Sequence, residues 1–350
     1  MTSRSPLKLG TRGSDLARTQ STTVAEALRA AGHDVELTII KTAGDRDQTS
    51  QFGSIGAQGV FVREIEQALV ERRIELAVHS FKDLPTTSPD SLVIGAVPKR
   101  VDPADLLLVR TDALSGSAAD WLPLRAGARV GTSSARRRVW LAHFRPDLAI
   151  VPLRGNVPTR IRRLSEGDFD AILLAAAGVE RLRESPALDG VLDGVTVIRL
   201  DPQRFVPAPA QGALAVQCRR DDARVLAALA ALDHPASHAA VDAERDALRR
   251  AEGGCDVAFG AFFVHAHGDA GRRPGAQHEL LGMYERSGSV RVVLASPSAA
   301  SGFVHQVDLD TPVAIYTIGP STTAAARALG LSVTAEAREP SLEGILEAMQ

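Results

Sequence analysis

The chain has 350 residues, of which 45% are hydrophobic, and its formal net charge is -2 from 40 basic and 42 acidic side chains. This length indicates two or three domains, and the charge argues against a nucleic-acid partner, because phosphate binding needs a basic excess. The only two cysteines, Cys218 and Cys255, exclude a disulfide framework, and no cysteine or histidine spacing is typical of zinc.

The first residues, MTSRSPLKLG, lack the apolar stretch of an export signal. No apolar run approaches the roughly 18 residues of a membrane span. We therefore expect a cytoplasmic protein without a membrane partner.

The first part of the chain alternates strand and helix patterns. Strands are predicted at 7–12, 35–42 and 74–80, with helices at about 14–31 and 59–73. This order is typical of βαβ units and a mostly parallel sheet.

A second set begins after the polar segment 101–105. It comprises strands at 106–110, 128–134, 149–154 and 171–178, with helices ending near 144 and spanning 156–167. LKLGTRGS (7–14) and ARVGTSSA (128–135) both run a strand into Gly-Thr and then a helix, as duplicated halves would. Ligands of open α/β sheets bind outside the carboxyl ends of the strands, so two such halves predict a cleft.

The remaining chain is predicted to form a strand at 206–218, two alanine-rich helices to about 251, and a small α+β domain. That domain would contain the alternating segment 289–296 and a helix at 322–329.

A Lys-Asp pair ends the predicted strand in VHSFKDLP (78–85). Asp83 suits the N-cap of a following helix, since aspartate is a common cap and Pro85 suits a helix start. Lys82 is one of only four lysines among the 40 basic residues, which favours a functional role. Both interpretations remain open from position alone.

Arginines follow two strands of the second set, in GTSSARRRVW (131–140) and PLRGNVPTRIRR (152–163). Guanidinium groups and helix N-termini bind carboxylates or phosphates. Strand-end placement favours an anion site for four of them: Arg136, Arg137, Arg154 and Arg160. A solvated basic face is the better interpretation for three: Arg138, Arg162 and Arg163.

Cys255 follows Gly253 and Gly254 in AEGGCDVAFG (251–260), where two residues lack side chains. This context favours a reactive or modified thiol, whereas Cys218 suits a small buried hydrophobe. A Cys/His hydrolase would need a histidine base and an oxyanion hole. The nearby His265 and His267 alternate along a predicted strand, and no nucleophile elbow is present.

The chain closely resembles the porphobilinogen deaminase family, also called the hydroxymethylbilane synthases, in six motifs that occur in the same order: LGTRGSDLARTQ, VHSFKDLP, GTSSARRR, LRGNVPTR, APAQGALAV and EGGCDVAFG. The resemblance implies an α/β protein with two periplasmic-binding-protein-like (type II) α/β domains around a cleft and a small C-terminal α+β domain. We expect domain 1 at 1–100 and 206–230, domain 2 at 101–205, and domain 3, with Cys255, at 231–350. A monomer is also implied.

The resemblance further implies a transferase of tetrapyrrole biosynthesis. It would join porphobilinogen units head to tail with loss of ammonia, on a dipyrromethane cofactor attached to Cys255 by a thioether, and release hydroxymethylbilane by hydrolysis. Asp83 would be the catalytic carboxylate. The cofactor would be held by Lys82, Thr132, Ser134, Arg136 and Arg137. Substrate and the growing chain would be bound by Arg12, Ser14, Gln20, Arg154, Arg160 and Arg181. No metal is implied.

The chain departs from the family pattern in three places. Ser54 and Gln58 stand in a loop where many members have lysines, and Ala258 stands where the cysteine motif usually has proline. Arg138 is a third arginine without an assigned role.

Two other classes remain open. A non-enzymatic small-anion binding protein explains the arginines but neither Cys255 nor the Lys82–Asp83 pair. A cysteine-dependent acyl transferase explains Cys255 but predicts a histidine partner that the sequence does not provide.

Overall fold

A computed structural model of the chain describes residues 5–40, 54–117, 120–183, 185–250, 259–265, 278–286, 289–294 and 313–339, together with 344, 347 and 348. The chain divides into two compact units. Unit 1 comprises Met1–Pro103, Ala177–Asp189 and Gln211–Ala239, and unit 2 comprises Ala104–Ala176, Gly190–Ala210 and Ala240–Gln350. The three domain ranges expected from the sequence remain a prediction.

The described strands are β1 (Leu7–Thr11), β2 (Val35–Ile39), β3 (Leu76–Ser80), β4 (Leu92–Ala96), β5 (Asp105–Arg110), β6 (Arg129–Gly131), β7 (Ala149–Val151), β8 (Ala171–Ala175), β9 (Val195–Arg199), β10 (Leu214–Arg219), β11 (Phe259–His265), β12 (His278–Arg286), β13 (Ser289–Leu294), β14 (Val313–Thr317) and β15 (Val333–Glu336). The described helices are α1 (Asp15–Ala30), α2 (Ser54–Val70), α3 (Ala135–Phe144), α4 (Val157–Ser165), α5 (Ala176–Arg181), α6 (Ala223–Leu229), α7 (Pro235–Arg250) and α8 (Pro320–Ala328).

The sheet of unit 1 has five strands in the order β2-β1-β3-β10-β4. β1 runs parallel to β2 and β3, whereas β10 runs antiparallel to β3 and β4. Helix α1 packs Val24 and Leu28, which are one turn apart, against Leu9 and Leu76 of the sheet. The apolar periodicity of the sequence therefore follows the buried faces.

The first sheet of unit 2 repeats this arrangement in the order β7-β6-β8-β5-β9. β6 is parallel to β7 and β8, and β5 is antiparallel to β8 and β9. β1 and β6 occupy corresponding positions, and each is followed by a helix. The predicted pair of α/β sheets from duplicated halves is confirmed.

The third sheet, β11-β12-β13-β14-β15, also belongs to unit 2. β11, β12 and β13 are antiparallel, but β13, β14 and β15 are parallel, with α8 between β14 and β15 in the chain. Ile315, Ala326 and Leu331 from this part join the core of unit 2.

The strand predicted at 206–218 is shorter in the structure and spans only Leu214–Arg219. Pro207 and Pro209 cannot donate a backbone hydrogen bond to a sheet. Ala210 and Gly212 have positive φ angles of 60° and 90°, which no strand residue adopts. The segment is therefore irregular until residue 214.

Candidate active site

In unit 1, the carboxyl end of β3 lies next to the beginning of β10. β3 continues directly into a 3-10 turn, Phe81–Asp83, and Ser80 pairs with Leu214. The Phe81 N–H donates to the Ala213 carbonyl at 3.0 Å. This pairing places Lys82 and Asp83 beside the residues that precede β10.

Lys82 is held by a buried glutamine. Its Nζ donates to Oε1 of Gln211 at 3.2 Å, and Nε2 of Gln211 donates to the Pro103 carbonyl at 2.8 Å. Nε of Arg100 donates to the Gln211 carbonyl, also at 2.8 Å. The ammonium group therefore has a defined position at the edge of the sheet.

Asp83 is not a helix cap, because no helix follows it before β4 begins at Leu92. The side chain is partly exposed, and within the described ranges its carboxylate forms no hydrogen bond or ion pair. The capping interpretation is therefore wrong, and the charged oxygens are open to a ligand.

Two of the other predicted residues of unit 1 have hydrogen bonds that fix their positions. Ser14 caps α1 by accepting from the Ala17 N–H at 3.4 Å. Nε2 of Gln20 donates to Oγ of Ser80, the last residue of β3, at 2.8 Å. Gln20 therefore lies at the same strand end as the Lys-Asp pair.

The two predicted arginines of unit 1 differ in exposure. Arg12 is partly exposed directly after β1. Nη2 of Arg181 donates to the Gly212 carbonyl at 2.7 Å, and burial lowers the pKa of Arg181 to about 10. Arg181 remains a cation at neutral pH, next to the segment that precedes β10.

In unit 2, Arg136 and Arg137 share one carboxylate. Nη2 of Arg136 lies 2.8 Å from Oδ2 of Asp105, and Nη2 of Arg137 lies 2.7 Å from Oδ1 of the same residue. All three residues are buried, with exposed fractions of 5%, 6% and 0%. Nη1 of Arg137 also donates to the Leu173 carbonyl at 2.8 Å.

This cluster carries an excess positive charge and suits an anionic group. Two guanidinium groups share one carboxylate, so one positive charge has no counter-charge. A buried charge without a counter-charge is costly in free energy. Nε of Arg136 is buried and has no hydrogen-bond partner in the described parts of the chain. Burial and then the neighbouring charge of Arg137 lower the pKa of Arg136, against the opposing effect of Asp105. A carboxylated cofactor fits these residues because it would supply the missing negative charge.

The two predicted hydroxyls shape the beginning of α3. Oγ of Ser134 accepts from the Arg137 N–H at 3.4 Å, and Oγ1 of Thr132 accepts from the Ser134 N–H at 3.2 Å. These bonds set the direction in which the helix leaves β6.

The two arginines near α4 are less enclosed. Arg154 is exposed and forms no hydrogen bond or ion pair with any residue that the structure describes. Nε of Arg160 donates to the Gly155 carbonyl at 2.7 Å. Arg154 is therefore available to bind an anion from solution.

Cys255 and Ala258 lie outside the described residues, as do the side chains of Ser54 and Gln58. Cys218 is described, and it is a buried thiol whose pKa is raised to about 11 by burial. That thiol is neutral at physiological pH, in agreement with the packing role predicted for it.

Sequence reasoning missed Asp105, although its position offered a signal. It is an acidic residue directly before the apolar run LLLV, and a buried carboxylate requires a cationic partner. Across the described ranges, no cluster of histidine, cysteine and acidic residues could hold a metal, and no helix there is long and apolar enough to cross a membrane.

The fold and these side chains define a class of α/β protein with a buried pair of arginines that suits a carboxylated ligand and, at a strand end, a partly exposed carboxylate beside a lysine. Residues 7–227 match the family described as "Porphobilinogen deaminase, dipyromethane cofactor binding domain". The chain belongs to the porphobilinogen deaminase family.

Individual relatives agree with this assignment. The chain is 47% identical over 263 residues to porphobilinogen deaminase of Syntrophobacter fumaroxidans, covering 75% of this chain and 80% of that protein. It is 41% identical over 314 residues to porphobilinogen deaminase of Mycobacterium leprae, covering 89% of this chain and 95% of that protein.

The C-terminal part has a second similarity. Residues 270–347 match the family described as "Uroporphyrinogen-III synthase HemD". This range includes β14, α8 and β15, in which two parallel strands are connected through a helix.

Among solved structures, a periplasmic VFT2 domain of Bordetella pertussis BvgS gives a TM-score of 0.39 at 15% identity, covering 65% of this chain and 86% of that one. Likeness at this level says nothing about activity.

Proposed function

We propose that this chain performs the hydroxymethylbilane synthase reaction of its family with Asp83 as the catalytic carboxylate. The observation that carries the proposal is the open, partly exposed carboxylate of Asp83 at the end of β3, next to a lysine whose position is fixed. Porphobilinogen is the substrate, and the enzyme is a transferase of tetrapyrrole biosynthesis.

Asp83 acts where positive charge develops. Loss of ammonia from the aminomethyl group of porphobilinogen leaves a cation that is delocalised over the pyrrole ring. The carboxylate accepts a hydrogen bond from the pyrrole N–H and stabilises that charge, which lowers the barrier to the step. Lys82 keeps its hydrogen bond to Gln211, and its ammonium group, held in one position, binds a carboxylate of the ligand.

Arg136 and Arg137 hold the dipyrromethane cofactor. When bound, this cofactor supplies the pyrrole carbon to which substrate units are joined. The excess positive charge around Asp105 attracts its carboxylates, and the buried Nε of Arg136 is one available donor. Thr132 and Ser134 contribute to the cofactor site by setting the direction of α3, which carries both arginines.

The remaining predicted residues bind the substrate and the growing chain. Each pyrrole adds acetate and propionate groups. Binding of the growing chain therefore requires more positively charged side chains than binding of the cofactor alone. The set proposed for this role is Arg12, Ser14, Gln20, Arg154, Arg160 and Arg181.

Intact mass spectrometry tests the proposal. The purified wild-type chain should carry the added mass of one dipyrromethane, because Cys255 is the proposed attachment site. Cys255→Ser should lose this mass and nearly all turnover of porphobilinogen. Cys218→Ala, which removes the buried thiol, is the matched control and should retain both. Normal loading of Cys255→Ser would falsify the attachment site.

We also propose that the enzyme is a cytoplasmic monomer. Two cysteines without disulfide spacing suit a reducing compartment. Size-exclusion chromatography with light scattering should give the mass of one chain, and a stable dimer would contradict the monomer.

The match of residues 270–347 supports a second candidate function, uroporphyrinogen-III synthase activity. Incubation of the purified chain with porphobilinogen, followed by separation of the products, tests it. Formation of uroporphyrinogen III would support this candidate, and accumulation of the linear tetrapyrrole alone would contradict it.

A further inference from the structure

Both tryptophans of the chain belong to one aromatic cluster in unit 2. Trp140 stacks on Phe144 with ring centroids 5.3 Å apart, and Trp121 meets the same ring edge-on at 5.2 Å. The ring of Phe205 lies 5.9 Å from that of Trp140. Both indoles therefore contact the Phe144 ring, but Trp140 is buried, whereas Trp121 is partly exposed and lies under the Arg204 guanidinium, 3.9 Å from its ring centroid.

Their N–H groups differ. Nε1 of Trp140 donates to the Val206 carbonyl at 3.1 Å. Nε1 of Trp121 is buried and makes no hydrogen bond to the described residues. Only the Trp140 indole therefore connects the aromatic cluster to the backbone.

The Val206 carbonyl also anchors a proposed cofactor residue. Nη1 of Arg136 donates to this oxygen at 2.7 Å, and a carbonyl oxygen can accept two such bonds. Arg136 and Trp140 are four residues apart on α3, so they lie on one face of the helix. One backbone oxygen therefore receives two buried donors from the same helix.

The strand that follows the Cys255 segment bonds to the next carbonyl along the chain. The Ala261 N–H of β11 donates to the Pro207 carbonyl at 3.1 Å. A side chain at Gly260 would place its Cβ 3.1 Å from the Val206 oxygen and 3.2 Å from the Pro207 oxygen. β11 approaches this closely because residue 260 is a glycine.

The Val206–Pro207 peptide thus lies between α3 and β11. α3 provides Arg136 and Trp140, and β11 begins four residues after Cys255. Pro207 has a restricted φ and no N–H of its own, which limits how this peptide can rearrange. A shift of the Val206 carbonyl would therefore move the anchor of Arg136 relative to β11.

We infer that Trp140 is a positioning residue for cofactor attachment. Its indole N–H fixes the Val206 carbonyl and so sets Arg136 in relation to the strand that follows the attachment cysteine. The inference rests on the proposed roles of Arg136 and Cys255.

A matched pair of variants tests it. Trp140→Phe and Trp121→Phe each remove one indole from the same cluster. Trp140→Phe removes the hydrogen bond to Val206, whereas Trp121→Phe changes the ring that lies under the Arg204 guanidinium. Apo-protein produced in cells that cannot make porphobilinogen is mixed with porphobilinogen, and the loaded fraction is followed by intact mass. Trp140→Phe should load about tenfold more slowly than Trp121→Phe, as expected for loss of one buried hydrogen bond. Thermal melts should show that both variants are folded at the temperature of the loading assay.

Gly260→Ala provides a second variant that leaves Trp140 intact. The added methyl group presses on the Val206 and Pro207 carbonyls from the β11 side, so it should slow loading in the same way. Equal loading rates in Trp140→Phe and Trp121→Phe would overturn the inference, as would normal loading in Gly260→Ala if Trp140→Phe does not fold. A wild-type chain that never acquires the dipyrromethane mass would instead overturn the proposed function.

Discussion

Asp83 and Asp105 are two aspartates in opposite environments. Asp83 is partly exposed and has no partner in the described structure, whereas Asp105 is fully buried between two guanidinium groups. An exposed carboxylate without a partner can stabilise positive charge that develops on a substrate. A buried carboxylate that already forms ion pairs cannot. The same type of side chain is therefore proposed to be catalytic in unit 1 and structural in unit 2.

Asp83→Asn separates charge from shape. The change keeps the size of the side chain but removes the negative charge that is proposed to stabilise the pyrrole-derived cation. Turnover of porphobilinogen should fall by at least about 100-fold, as for loss of one preorganised electrostatic partner. The melting temperature should stay near that of the wild type, because Asp83 caps no helix. Steady-state kinetics and thermal melts measure both, and a large loss of stability with intact activity per molecule would refute the catalytic role.

Asp105→Asn should act on stability instead. It leaves Arg136 and Arg137 without their shared counter-ion, and breaking a buried ion pair typically costs about 3–5 kcal/mol. Asp112→Asn is the control, because it removes an ion pair with Arg110 in which the carboxylate is 68% exposed, and such pairs contribute little. Urea denaturation compares the two. Similar small effects would show that the arginines do not depend on Asp105.

At the scale of elements, the segment between β9 and β10 departs most from the sequence-based expectation. It was expected as part of a long strand, yet its last residues turn sharply before β10. Ala210 has a φ of 60° and Gly212 a φ of 90°. The glycine suits this conformation, but the alanine does not.

Gly212→Ala and Ala210→Gly should therefore have very different effects on stability. A Cβ at residue 212 would lie 2.7 Å from the Val101 carbonyl oxygen, so Gly212→Ala should lower the free energy of unfolding by at least about 2 kcal/mol. Ala210→Gly removes a left-handed strain of about 1–2 kcal/mol but adds about 0.5–1 kcal/mol of chain entropy. It also removes a fully buried methyl group, which costs about 0.8 kcal/mol, so its net effect should be near zero. Chemical denaturation measures both changes. A loss of stability from Ala210→Gly as large as that from Gly212→Ala would contradict the backbone conformation described for residue 210.

Sequence patterns predicted those features that depend on residues close together in the chain. The strand end before the Lys82–Asp83 pair and the helix start after the Thr132–Ser134 segment were predictable, because turn and cap residues mark them in the sequence. The partner of Arg136 and Arg137 was not, because Asp105 lies more than thirty positions away and reaches them only through sheet pairing. Trp140 was missed for the same reason, since its bond to Val206 spans 66 residues.

At the scale of the whole chain, two family similarities follow each other along the sequence. The deaminase match covers 7–227 and the HemD match covers 270–347. Four strands of the third sheet, β12 to β15, lie inside the HemD match, and β11 lies between the two matched ranges. The α+β pattern expected at the C-terminus is confirmed, since antiparallel strands and a parallel pair connected through a helix share this sheet.

The pH dependence of stability is a property of the whole molecule with an identifiable source in unit 1. Nε2 of His79 lies 3.1 Å from Oε1 of Gln217, and Nε2 of Gln217 donates to Oε1 of Glu66 at 3.0 Å. Since the glutamine nitrogen already donates to a carboxylate, its oxygen accepts from a neutral His79 that is protonated on Nε2. Burial lowers the pKa of His79 to about 4.

This lowered pKa should make the fold less stable in acid. In the unfolded chain His79 takes up a proton near the ordinary histidine pKa of about 6.5, whereas in the folded chain it does so only near pH 4. Between these values the unfolded state binds more protons, so the free energy of unfolding falls as pH falls, by up to about 3 kcal/mol from this residue. His79→Gln keeps a donor for Gln217 but cannot titrate, so its stability should depend less on pH across this window. His33→Gln, at a partly exposed position, is the control and should follow the wild type. Urea denaturation at a series of pH values measures the slopes, and parallel curves for wild type and His79→Gln would show that His79 is not the group that titrates.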